Sequence, residues 1–206
     1  MAGRTIITIG RTFGSGGHDI GKKLAEELGV GFYDKELLEI AARESGICKE
    51  LFESNDEKPT SSLLYTLSVN PYGSMGALGG AEHMPISQKL FLAQFEAVRK
   101  LAHDHDCVIV GRCADYALRE EPGCINVFIH APLQYRISRI KELYELSSGE
   151  AKDLILKTDK KRAAYYNTYS DRKWGSLETY HLTLDSSVLG QENAVELIRR
   201  FAEMRG

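Results

Sequence analysis

The sequence has no run approaching the roughly 20 apolar residues that a membrane span requires. It lacks a basic surplus as well. Lysine and arginine number 26 against 29 acidic residues, a formal charge of −3, with a pI near 6.1. General nucleic-acid binders carry a marked positive excess, so any affinity for anions must be local. Cysteine is scarce. Cys48, Cys107, Cys113 and Cys124 form neither a Cys-x-x-Cys pair nor a zinc-ligand spacing. Cys107 and Cys113 lie in or beside an apolar run, where a free thiol packs as a small hydrophobe. The stretch MAGRTIITIG is too short in apolar residues for a signal peptide and is needed as a strand. The expectation is a cytoplasmic protein with reduced thiols and no membrane or nucleic-acid partner.

What is present suffices for one packed core: 206 residues, 43% of them hydrophobic. TIITI, VGFYD, CVIVG, CINVFIHA and YHLTLD read as short buried strands. Between them lie helical periods: Gly17 to Leu28 with Gly29 as a stop, KELLEIAARESG, SQKLFLAQFEAVRKLAHDHD, PLQYRISRIKELYEL, and a Lys/Arg-rich stretch from Ser148 to Arg172. CKELFESNDEKPTSSLLYTLS suggests two short helices divided at Pro59, and QENAVELIRRFAEM closes the chain as an amphipathic helix. VNPYGSMGALGGAEHMP has four glycines and two prolines in seventeen residues and reads as a long loop. There is no internal repeat. Alternating strands and helices predict an α/β fold: a parallel sheet covered on both faces, with ligands at the strands' C-terminal rim.

One further absence is chemical. IITIGRTFGSGGHDIGKKLAEELG is a strand, a glycine-rich turn and a helix, the arrangement of a phosphate cradle. Gly16-Gly17-His18 stands where the nucleoside-triphosphate loop has Gly-Lys-Ser/Thr. The cradle itself needs backbone N–H groups and a helix start, which Gly14, Ser15, Gly16, Gly17, His18 and Asp19 supply without lysine. A dinucleotide fingerprint is the alternative. Gly14 and Gly16 fit it and Asp34 stands where a ribose-binding acid would, but Asp19 fills the third glycine position and Gly10 to Gly14 lengthens the turn. A ligand-free glycine turn is the remaining reading.

Taken together, IGRTFGSGGHDIGKKLAEELG, FYDKELLEIAARESGI, FLAQFEAVRKLA, CVIVGRCADYAL and DKKRAAYYNTYSDRKWG…YHLTLDSSVLG resemble the cytidylate kinase-like family, a branch of the P-loop nucleoside monophosphate kinases. The resemblance spans nearly the whole chain. It implies a three-layer P-loop NTPase fold in one domain, with a five-stranded parallel sheet, a helical acceptor-binding insertion over 35–90 and a lid over 147–175. It implies ATP and Mg²⁺ as cofactors and small nucleotides as partners. Against the family loop Gly-x-x-Gly-x-Gly-Lys-Gly-Thr, Gly17 falls at the lysine, His18 at the next glycine and Asp19 at the threonine.

The missing lysine needs a substitute. Arg11 at the loop's mouth is preferred to Lys22 or Lys23, because a guanidinium suits phosphate oxygens. Monophosphate kinases carry an acid near the third strand's end; here Val110 precedes Gly111-Arg112. Asp34 or Asp115 could hold the magnesium's waters, with no direct metal ligand assigned. Asp34 is a candidate for the acceptor nucleotide, and equally a helix cap. Arg112 is a candidate for the acceptor phosphate. By the same resemblance Arg136 and Arg139 share a helix face toward the lid, and Arg162 is the preferred lid arginine, so that Arg11, Arg112, Arg139 and Arg162 form the expected catalytic set and Asp34, Arg112 and Arg136 the expected substrate-binding set. The cluster Tyr165, Tyr166 and Tyr169 reads as packing, and Trp174 as a residue at the lid's hinge. Residues 68 to 88 would judge the acceptor base. The leading expectation is a kinase moving the ATP γ-phosphoryl group to a nucleoside monophosphate such as CMP. A non-catalytic nucleotide-binding module is the alternative, and a kinase for a non-nucleotide acceptor a weaker one.

Overall fold

The computed structural model describes residues 4–56 and 84–205. The second short helix expected after Pro59 and nearly all of the 68–88 loop lie outside the described residues. The strands are β1 (Ile6–Arg11), β2 (Gly31–Tyr33), β3 (Cys107–Val110), β4 (Ile125–His130) and β5 (Leu182–Asp185). They form a five-stranded sheet in the order β2-β3-β1-β4-β5, parallel throughout. The helices are α1 (Gly17–Leu28), α2 (Glu36–Ser45), α3 (Lys49–Asn55), α4 (Ile86–Asp104), α5 (Ala114–Ala117), α6 (Leu133–Tyr144), α7 (Ser148–Tyr169) and α8 (Ser186–Arg205).

Strand β1 is central, paired with β3 from Ile6↔Cys107 to Ile9↔Val110 and with β4 as far as Arg11↔Ile129. Its side chains alternate between two cores. Ile6 joins Leu37, Phe52, Val98 and Ile109 beneath α2, α3 and α4. Ile7 and Ile9 join Ile20, Leu24, Val127 and Ile198 beneath α1 and α8. Apolar burial on both faces is what makes each strand a continuous apolar run in the sequence.

The helix ends follow local chemistry. Gly29 closes α1 at φ 66°, and Ser147 with Glu150 forms a capping box that starts α7. The last helix begins at Ser186, earlier than its periodicity suggests, and carries a kink at Gly190. Cys107, Cys113 and Cys124 are buried thiols and Cys48 is exposed. Burial pushes Cys107 and Cys124 up to about 12, so both stay protonated and unreactive. Among the described residues, no helix is long and apolar enough to cross a membrane.

Candidate nucleotide site

A parallel sheet puts every strand's C-terminal end on one rim, and the expected site residues gather there. The loop from Arg11 to Gly17 leaves β1 and turns into α1. Gly14 and Gly16 take φ 82° and 81°, a region costly for any residue with a Cβ. Ser15 Oγ donates to the carbonyls of Thr12 and Ile129, at 2.8 and 3.2 Å. Buried Ser186 Oγ donates to Ser15 O at 2.7 Å and His130 O at 3.1 Å, tying the loop to β4 and α8.

The amides of Thr12, Ser15 and Ile20 have backbone acceptors, and that of Phe13 bonds Asp159 at 2.7 Å. Those of Gly14, Gly16, Gly17, His18 and Asp19 have no acceptor among the described residues. They lie in the glycine turn and the first turn of α1, whose N-terminal end is partly positive, a backbone arrangement that fits a polyphosphate. The adjoining cleft, of about 340 Å³, is lined by Arg11, Asp34, Arg139, Tyr144 and Arg162 among others. That volume lies within the range of small-molecule sites.

Position 17 has no room for a longer side chain. A Cβ on Gly17 would lie 2.6 Å from Arg11 Cβ. Arg11 is buried, and its guanidinium crosses to β3, where any Cβ on Gly111 would collide with it. It thus lies between the loop and the end of β3.

Gly111, Arg112 and Cys113 follow one another at φ 77°, 51° and 56°. Two consecutive non-glycine residues in the left-handed region are strained, of order 1–3 kcal/mol each, and such strain concentrates at functional sites. The surroundings hold Arg112 in place. Its side chain is 2% exposed and pairs with Asp34 and, at 3.1 Å, with Asp56. The other oxygen of Asp34 accepts from His18 Nδ1 at 2.9 Å.

Burial alone would raise the Asp34 carboxyl. The His18 hydrogen bond and the guanidiniums of Arg112 and Arg11 outweigh it and hold the group well below the usual carboxylate range. The same hydrogen bond raises His18 against its partial burial, with help from the charges on Asp34 and Asp19 and opposition from Arg11.

The remaining candidates sit around this centre. Arg139 pairs with Asp19 and lies over Gly16 beside Gln191. Arg136 Nη1 bonds Phe13 O at 3.1 Å and Asp159 at 2.5 Å, which places it against the outside of the loop. Arg162 Nη1 donates to Arg11 O at 3.4 Å. Lys23 instead pairs with Glu192, away from the loop.

Asp115 is buried and accepts from Tyr166 OH at 2.5 Å. Burial raises its carboxyl, and the Tyr166 hydrogen bond and Arg172 act against that rise. Trp174 packs edge-on against Phe128, ring centroids 5.5 Å apart. Among the described residues there is no cluster of three or more metal-ligating side chains. Mg²⁺ needs only one or two carboxylates, and Asp19 and Asp34 flank the loop, each already ion-paired.

Residues 6–188 match the cytidylate kinase-like family. The chain belongs to that family. It is 25% identical over 195 residues to a cytidylate kinase of Methanosarcina barkeri, covering 94% of this chain and 93% of that one. The crystal structure of an uncharacterized protein from Eubacterium ventriosum superposes with a TM-score of 0.72 at 28% identity, over 98% of this chain and 100% of that chain. A shikimate kinase from Bacteroides thetaiotaomicron gives 0.55 at 16% identity, over 98% and 99%, a likeness of fold alone. The fold is that of the P-loop kinases, and the family name explains the order of the motifs.

Sequence reasoning missed two carboxylates of this site. Asp56 follows α3 with no local motif to mark it. Asp159 was visible only as a neighbour of Arg162 at i−3, a spacing that ordinary surface helices share.

Proposed function

We propose that this protein is an ATP-dependent phosphotransferase acting on a nucleoside monophosphate such as CMP. The observation that carries the reading is the set of open loop amides at Gly14, Gly16, Gly17, His18 and Asp19, residues that line the same cleft as Arg11, Arg139 and Arg162. The amides and the start of α1 would seat the triphosphate. Bound with Mg²⁺, ATP would supply the transferable γ-phosphoryl group. Arg11, between the loop and the end of β3, is the cation best sited to take the part of the absent lysine. Arg162, bonded to Arg11 O, lines the same cleft.

Phosphoryl transfer asks for positioning and charge stabilisation rather than covalent work by the protein. His18 and Asp34 stand beside the loop where an acceptor would be held. Arg112, locked between Asp34 and Asp56, orients that wall and carries part of its charge.

A second reading has specific support. Asp19, at the position of a metal-binding hydroxyl, is paired with Arg139, and Arg112 is committed to two carboxylates. A nucleotide-binding module without turnover would tolerate both arrangements. A panel of nucleoside monophosphates assayed with ATP and Mg²⁺ separates the two. Turnover of one acceptor that falls about 100-fold or more in Arg11→Ala supports the kinase. Saturable ATP binding with no turnover across the panel supports the module.

A further inference from the structure

Helix α7 touches the site with one face. Asp159, Arg162 and Tyr166 are spaced i, i+3, i+7 and project along the same side. Asp159 Oδ1 accepts from the Phe13 amide at 2.7 Å, and Oδ2 pairs with Arg136 at 2.5 Å. Arg162 bonds Arg11 O at 3.4 Å, and its guanidinium lies 5.5 Å from the Phe13 ring centroid. Tyr166 bonds Asp115, and Tyr165 OH donates to Gln94 at 3.2 Å. Tyr169 stacks on Phe91 with centroids 4.3 Å apart and planes 9° from parallel. All three tyrosines are buried. Segments that open and close have few buried apolar contacts and solvent-exposed bonds. The second half of α7 has the opposite character.

We propose that Asp159 is a positioning residue that joins the phosphate loop to α7, so that Arg162 is presented to the loop without nucleotide. Helix α7 is then a fixed wall of the cleft, not a segment that closes over substrate. Asp159 has two partners that need it. Arg136, with its side chain 11% exposed, would be a nearly buried cation without a counter-charge. The Phe13 amide, next to the open ones, would lose its acceptor and the loop its outer brace. An arginine held in place beforehand needs no ordering step when phosphate arrives. The kinetic consequence rests on the kinase reading; the docking of α7 rests on packing alone.

Hydrogen exchange on the full chain tests both parts. Without nucleotide, peptides covering residues 155–169 should exchange as slowly as those of β1, and ATP with Mg²⁺ should slow only the peptide covering residues 10–19. Asp159→Ala should speed exchange in the loop and in α7. Asp159→Asn, which keeps an oxygen to accept the Phe13 amide, should restore most of the loop's protection.

In turnover assays Asp159→Ala should lower kcat by about 100-fold, with the acceptor KM within about threefold. A merely structural role would reduce the folded fraction and leave kcat per folded molecule intact. If Asp159→Ala does not fold, Arg136→Gln, which removes the cation paired with Asp159, carries the exchange readout in the loop and in α7. Fast exchange in α7 that slows on nucleotide binding would overturn the proposal, as would an Asp159→Ala protein with unaltered loop exchange. A chain that binds no ATP yet keeps α7 protected would sink the kinase reading and leave the docking of α7 standing.

Discussion

Arg11 and Gly17 share one space: a side chain beginning at position 17 would start 2.6 Å from the Cβ of Arg11. The absent lysine and the arginine at the loop's mouth are therefore two aspects of one packing arrangement. Arg11 is an ordered cation whose stem fills the lysine's starting point and whose charged end reaches β3.

Restoring the lysine by itself should fail. Gly17→Ala should cost about 1–3 kcal/mol in urea unfolding, the usual penalty for overpacking. Gly17→Lys should be no better and should not tighten ATP binding. Arg11→Gly/Gly17→Lys should relieve the clash and unfold at higher urea than Gly17→Lys. A stable Gly17→Lys single variant with tighter ATP binding contradicts the shared-space argument.

Arg112 should matter to stability as much as to any reaction. Arg112→Ala leaves Asp34 buried with one guanidinium fewer, and breaking such a pair costs about 3–5 kcal/mol. Denaturant titration of Arg112→Ala beside Arg162→Ala should show the larger loss in the former. A loss of activity in Arg112→Ala therefore needs correction for the folded fraction before it bears on phosphate binding.

The His18–Asp34 pair gives stability two opposed pH limbs. Asp34 is depressed in the folded state, so its contribution is present above about pH 4 and is lost as pH falls through the folded value. His18 is raised, so its contribution is full below about pH 6.5 and is lost as pH rises through the folded value. Melting curves across pH should show Asp34→Asn flattening the acid limb and His18→Asn flattening the limb near neutrality. Identical pH profiles in wild type and His18→Asn would refute the second.

Tyr166 and Asp115 should behave as one unit. Tyr166→Phe removes the donor to a buried carboxyl and should cost about 1–3 kcal/mol. Asp115→Asn keeps an acceptor and removes the burial penalty of a charge, so at neutral pH it should cost less than Tyr166→Phe. The double variant should lose less than the sum of the two single losses. Strict additivity in a double-mutant cycle would show that the two side chains act independently.

The reading of the loop from sequence rested on glycines whose conformational freedom is a local property, and Gly14 and Gly16 adopt the left-handed backbone such a turn needs. Strands and most helices were legible for the same reason. Burial of β1, β3 and β4 on both faces makes each an apolar run, and one-sided burial of α1 imposes a helical period. Asp115 was read as a carboxylate that could hold the magnesium's waters; its burial against Tyr166 was not legible, because nothing within a turn of it announces that residue, far along the chain on α7. The tyrosine cluster was read as packing, and it packs; its hydrogen bonds to Asp115 and Gln94 had no local signature.

The sequence by itself determined the α/β alternation, the phosphate-binding turn and the absence of its lysine, because backbone preference and hydrophobic period act between near neighbours. Only the tertiary structure decided what fills the lysine's space, which carboxylates restrain Arg112, and how α7 lies against the loop. Those depend on side chains brought together across the sheet and between helices, and pairing at that range leaves no periodic trace in the chain.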